Sequence, residues 1–118
     1  MSLEIHDQTK EYEIEMSGAT FTLRHWTVDD QEVVDRECIV EDGKDASGLP
    51  KFKWNQSRDR EIKFERCILG WAGIVMNGQE FIFSPENKKK LPVGIKILLV
   101  KEIEERAGLR MTAQEKKT

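Results

Sequence analysis

Hydrophobic and polar residues alternate first at Tyr12, Ile14 and Met16, with Glu11, Glu13 and Glu15 between them. A period of two is the mark of a strand buried on one face only. Ser17-Gly18 then supplies a turn, and alternation resumes with Phe21, Leu23 and His25 against Thr20, Thr22 and Arg24. The two runs predict a β-hairpin. Thr27-Val28-Asp29-Asp30 predicts a helix start. The threonine oxygen can accept a free backbone N–H, and the acids face the positive end of the helix dipole. That helix is expected to carry Val33, Val34 and Cys38 and to end near Val40.

Residues 41–57 contain two glycines and a proline and show neither period, so a long loop is expected. Such loops are uncommon in compact domains and are often functional or ordered by a partner. Residues 58–70 fit two readings. Ile62, Phe64 and Ile68 suit alternation, whereas Phe64, Cys67, Ile68 and Trp71 suit helical spacing. The length of the run and its charged start favour helix, with Ser57 and Asp59 as the cap signal.

Asn77-Gly78 is a strong hairpin signal, because both residues tolerate the positive φ of a type I′ turn. It predicts paired strands at 73–76 and 79–83. Ser84-Pro85-Glu86 predicts a short helix over 85–91, which Pro92 interrupts. A longer helix follows at 92–107, with Ile95, Leu99, Ile103 and Ala107 on one face and Gly108 as its left-handed stop. The expected fold is a small single α+β domain over 11–108, with two β-hairpins and three to four helices. Flexible ends are expected at 1–10 and 109–118.

Composition narrows the function. The chain has 118 residues, 38% hydrophobic and 35% charged, which allows one modest core. A net charge of −3, with Lys88-Lys89-Lys90 as the one basic cluster, argues against nucleic acid as a partner. No apolar run is long enough to span a membrane, and the N-terminus lacks the pattern of a signal peptide. A cytoplasmic protein is expected, with Cys38 and Cys67 as reduced thiols.

Reactive chemistry is weakly supported. His6, His25, Cys38 and Cys67 form none of the close pairs that hold zinc. Cys67 lies in an apolar stretch, where burial makes a thiol inert. His25 continues the apolar stripe of its strand, which suits a half-buried, hydrogen-bonded imidazole. The carboxylates fall on solvent faces, and no glycine-rich phosphate loop is present. Gly70 and Gly73 bracket Trp71-Ala72, suggesting a bend with close backbone approach. No catalytic residue, cofactor or metal is expected.

Aromatic residues point elsewhere. Phe52 and Trp54 stand in the polar segment KFKWNQ. They either anchor a partner protein or fold back onto the core. Trp26 and Trp71 are expected to close edges of the core, and Trp71 joins Phe52 and Trp54 as a candidate partner-binding residue.

Two blocks resemble a known family. Residues 12–30, YEIEMSGATFTLRHWTVDD, look like the opening hairpin and acidic capped helix of small phage tail proteins. Residues 66–91 resemble a second block through Gly70, Trp71, Gly73, Gly78, Phe83, Ser84, Pro85, Glu86, Asn87 and Leu91. Together they resemble the tail assembly chaperones of long-tailed phages and prophages. The blocks span 45 of the 118 residues, and the 41–57 segment has no counterpart. The resemblance implies a non-enzymatic chaperone that coats the tape-measure protein and recruits tail-tube subunits. It also implies two product lengths made by frameshifting, for which Lys116-Lys117 is a candidate slippery site. A structural tail-completion or adaptor subunit is the alternative.

Overall fold

The computed structural model describes residues 9–108, together with 5 and 7. His6, Lys116-Lys117, the expected tail at 109–118 and most of the expected flexible start lie outside these residues. Strands β1 (Tyr12–Met16) and β2 (Ala19–Leu23) form the first expected hairpin, in the register Ile14↔Phe21. Its turn places Ser17 at φ 50 and Gly18 at φ 87, the double positive φ that suits the twist of a tight hairpin. Strand β5 (Ile68–Ala72) pairs antiparallel with the other edge of β2, giving the sheet order β1-β2-β5. One sheet face carries Phe21, Leu23 and Ile68 into the core, with Tyr12, Ile14, Met16 and Trp71 packed around them. The other carries Glu13, Glu15, Thr20 and Thr22, as the alternation predicts.

Helix α1 (Val28–Glu37) starts at the expected Thr27 cap, and α2 (Gln56–Cys67) confirms the helical reading of the ambiguous segment. Strands β6 (Val75–Met76) and β7 (Gln79–Glu80) flank the Asn77-Gly78 turn, and α3 (Pro85–Lys88) and α4 (Val93–Arg106) complete the chain. Helix α2 packs against α1 and α4. The core gathers Val34 and Cys38, then Ile62, Phe64 and Cys67, then Leu99, Val100 and Ile103, against the sheet. The fold is a small single α+β domain.

Several boundaries differ from expectation, each for a local reason. Helix α1 ends at Glu37 and not near Val40, because Ile39 and Val40, both β-branched, open a strand. The expected 41–57 loop is instead a third hairpin, β3 (Ile39–Lys44) with β4 (Pro50–Trp54). Asn55, not Ser57, caps α2, its side chain accepting from the Arg58 amide at 3.1 Å. The run after Cys67 leaves the helix because β2 offers Ile68–Ala72 a free edge. The Asn-Gly hairpin is shorter than expected, although the Phe81 amide still bonds the Ile74 carbonyl at 2.8 Å. Helix α3 covers four residues, not the expected 85–91.

Candidate protein-docking surface

The β3–β4 arm is built by its turn. The Asp45 carboxylate accepts from the amides of Ser47 at 2.8 Å and Leu49 at 3.0 Å. The Gly48 amide bonds the Asp45 carbonyl at 3.0 Å, with Gly48 at φ 82. A type I turn followed by a left-handed glycine is the usual three-residue hairpin connection. The strands pair Ile39↔Trp54, Val40↔Lys53 and Glu41↔Phe52. Directly opposed residues share a face. One face therefore carries Ile39, Phe52 and Trp54 with Glu41. The other carries Val40, Lys51 and Lys53 with Asp42, and Lys53 lies 3.7 Å from the Asp42 carboxylate.

The arm stands clear of the core. Every residue of β4 is exposed, and so is all of β3 except Val40. Phe52 retains 65% of its accessible surface, Ile39 51% and Trp54 38%. Of the two readings of the KFKW aromatics, Phe52 follows the exposed one. Trp54 sits at the root, where its indole N–H donates to Asp59 Oδ2 at 2.9 Å. A groove of about 460 Å³ opens beside it, between α2 and α4, lined by Gln56, Asp59, Arg60, Ile97 and Val100. Val93 and Ile97, one turn apart on α4, are exposed. Ile97 lines the groove and Val93 carries its apolar surface one turn further, as residues at i and i+4 on one helix face do.

Three of the four charged side chains that line the groove, Asp59, Lys63 and Glu104, are linked to one another. Lys63 is buried, with its ammonium 2.9 Å from Asp59 Oδ1 and 3.7 Å from Glu104. Asp59 Oδ1 receives no aligned hydrogen bond, so the ion pair alone neutralises it. The groove thus sets Trp54, Ile97 and Val100 among a largely polar lining of Gln56, Asp59, Arg60, Lys63 and Glu104.

Trp71 is not brought together with Phe52 and Trp54. Its indole N–H donates to the Phe81 carbonyl at 2.7 Å, its ring stacks on Phe81 at 5.7 Å, and Phe21 and Phe83 meet it edge-on. Its polar handle and its ring are thereby engaged within the fold, in line with its reading as an edge of the core. Trp26 is buried, and its indole donates to Gln31.

The candidate reactive groups are equally absorbed. His25 is more buried than expected, with its ring 4.7 Å from that of Tyr12. Cys38 and Cys67 are free, buried thiols. Burial pushes Cys67 up to about 11, against the opposing pull of the Arg24 guanidinium. The reactive thiolate is therefore scarce near neutrality. We expect a thiol-specific disulfide reagent at pH 8 to modify neither cysteine in the native protein and both after unfolding in urea. Rapid stoichiometric labelling without denaturant would contradict this burial.

The lysine run is only partly a solvated patch. Lys88 is buried between the rings of Phe64 and Phe83, and its ammonium donates to the Glu65 carbonyl at 2.7 Å. Burial lowers its pKa. Among the described residues no group of three or more His, Cys, Asp or Glu side chains could hold a metal ion, and no helix is long and apolar enough to cross a membrane.

Sequence reasoning overlooked Ile39, Val93 and Ile97 as surface residues. The alternation of Lys51-Phe52-Lys53-Trp54 and the turn signature Asp45-Ala46-Ser47-Gly48 carried the signal for the arm. Comparisons with family models, curated proteins and solved structures find no match to this chain.

Proposed function

We propose that this chain is a non-catalytic docking domain of the tail assembly chaperone type. In this reading it holds an amphipathic helical segment of a long partner, the tape-measure protein, and keeps that segment from aggregating until assembly. The observation that carries the reading is the exposed apolar set made by Trp54 and Ile97 at the groove, with Phe52 beside Trp54 on the arm and Val93 one turn from Ile97 on α4; the rest of the groove lining is largely polar. A helix-in-groove site takes anchors at i, i+3, i+4 and i+7 and draws its affinity from apolar burial, about 25 cal/mol per Å². The sequence resemblance of the two blocks adds support from a separate source. The alternative, a structural tail-completion or adaptor subunit, would use the same surface for a permanent neighbour.

The test is co-expression with the tape-measure protein of the same particle, followed by calorimetric titration of its helical fragments. Soluble complex and measurable heat are expected. A partner that stays insoluble, with no heat from any fragment, removes the reading. Trp54→Ala should weaken capture by thirtyfold or more, corresponding to about 2 kcal/mol for an aromatic anchor. Thermal stability should stay nearly unchanged, because Trp54 lies outside the core cluster. A variant that instead unfolds would make Trp54 structural.

A further inference from the structure

We propose that copies of this chain pair arm to arm, the β4 edge of one copy adding to the β3 edge of the next. The pairing is heterologous and does not require the tape-measure reading, although it uses Phe52 and Trp54, which that reading assigns to the partner.

The hydrogen-bonding edges come first. The Asn55 amide donates to the Cys38 carbonyl at 2.7 Å, immediately before the pair Ile39↔Trp54. In an antiparallel ladder, mutually bonded pairs alternate with unbonded ones. Val40 and Lys53 are therefore the next bonded pair. The amides and carbonyls of Phe52 and Trp54 point away from β3, and those of Ile39 and Glu41 point away from β4. Neither edge has another strand beside it among the described residues. A lone two-stranded sheet is marginal in water, so an added strand contributes directly to its stability.

Charge then selects the occupant. Strand β3 carries Glu41 and Asp42, while β4 carries Lys51 and Lys53. Two β4 edges would oppose lysines to lysines, and two β3 edges would oppose acids to acids. Only β4 against β3 brings the lysines of one copy to Asp42 of the next, the acid that shares their face. Like charges directly opposite are destabilising and opposite charges favourable. On the other face the same arrangement sets Phe52 and Trp54 beside Ile39 of the next copy, covering exposed apolar surface. The β1 edge makes the contrast. There Glu11, Glu13 and Glu15 repel a second β1, which is how proteins guard an edge. The arm has no such guard against its own opposite edge.

An interface of one β4 edge on one β3 edge is small, so the association is weak and reversible. Being heterologous, it leaves an open edge at each end and continues past the dimer into a ring or a short stack.

Sedimentation velocity on the full chain, from micromolar to sub-millimolar concentration, provides the first test. Species larger than a dimer should grow with concentration and shrink in high salt; a monomer throughout overturns the proposal. Phe52→Pro removes an outward amide while leaving the Val40–Lys53 bonds, and should abolish the growth with an unchanged near-ultraviolet spectrum. Association at the wild-type level in a folded Phe52→Pro protein overturns the proposal. Should that variant disturb the arm, cross-linking decides. Lys51→Cys and Asp42→Cys proteins, mixed and oxidised, should give mixed disulfide dimers in several-fold excess over either homodimer. Equal yields, or a preference for homodimers, would reject heterologous pairing.

Discussion

Replacing Asp30 with alanine should destabilise the fold by about 3 kcal/mol and lower the melting temperature by about 12 °C. The carboxylate is almost wholly buried and accepts from three elements at once. Arg24, just past β2, reaches it with both terminal nitrogens at 2.7 and 2.8 Å. Arg66, in the last turn of α2, reaches it at 2.6 Å. The amide and hydroxyl of Thr27 complete the set at 2.9 and 3.0 Å. Alanine would leave two guanidiniums facing each other with their acceptor gone, and would undo half of the α1 capping box. The guanidiniums are partly exposed, so water recovers some of the loss and the estimate stays at the low end for a broken buried pair.

The same group sets an acid limit on stability. Burial alone would raise the Asp30 pKa, but hydrogen bonds from Arg24, Arg66 and Thr27 outweigh it and hold the carboxyl far below its ordinary range. A depressed folded-state pKa means that the stabilisation is complete above the unfolded value of about 3.9 and is lost as pH falls below it. Urea titrations between pH 7 and pH 2 should therefore show a steep acid loss in the wild type and a shallower one in Asp30→Ala. Parallel acid limbs would show that the network contributes little.

Legibility in the sequence followed how local each signal was. Thr27, Ser84 and Asn77-Gly78 acted on neighbours within a few residues, so the helix starts and one turn could be placed from them. The Thr27 cap even named Asp30, but as a cap residue only. Its pairing with Arg66, 36 residues away, depends on α2 packing beside α1, which no local pattern encodes. Strand β5 was missed for a similar reason. Ile68–Ala72 reads as helix end and turn until the free edge of β2 is brought to it. The arm at 39–54 differs, because its turn signature was local and was hidden by a count of loop-forming residues. Of the candidate surface, Phe52 and Trp54 were legible as aromatics in a polar segment. Ile97 and Val93 were not, because the period of α4 marks its buried face and leaves a second apolar stripe unexplained.

The separation of arm and core has a functional consequence. The apolar residues of β3 and β4 lie outside the core cluster, while the Asp30 network and the sheet lie within or against it. Substitutions in the arm should alter association without melting the domain, and substitutions in the core should do the reverse. Such a division suits a molecule whose exposed apolar surface is covered only part of the time.

Gly73→Val supplies the second large effect and closes the comparison between two glycines that the sequence presents alike. Both bracket Trp71-Ala72, yet their surroundings differ. At Gly73 φ is +83, and an added Cβ would stand 2.8 Å from the Gly18 carbonyl oxygen and 3.3 Å from the Ala19 Cα. Those atoms belong to the backbone of the β1–β2 turn, which has no flexible end to swing aside. Positive φ is itself a strain for a side-chain-bearing residue, and worst for a β-branched one. Valine should therefore cost about 3 kcal/mol or more, and alanine about 2 kcal/mol. At Gly70 an added Cβ meets nothing within 4 Å, and the φ is not in the left-handed region. Gly70→Ala should then fall within about 0.5 kcal/mol of wild type, since it adds strand propensity to β5 without a clash. Chemical denaturation of the three variants separates the cases. If Gly73→Ala unfolds at the wild-type urea concentration, the close approach of β5 to the first hairpin turn is not rigid, and the β1–β2 turn can yield without disturbing the core.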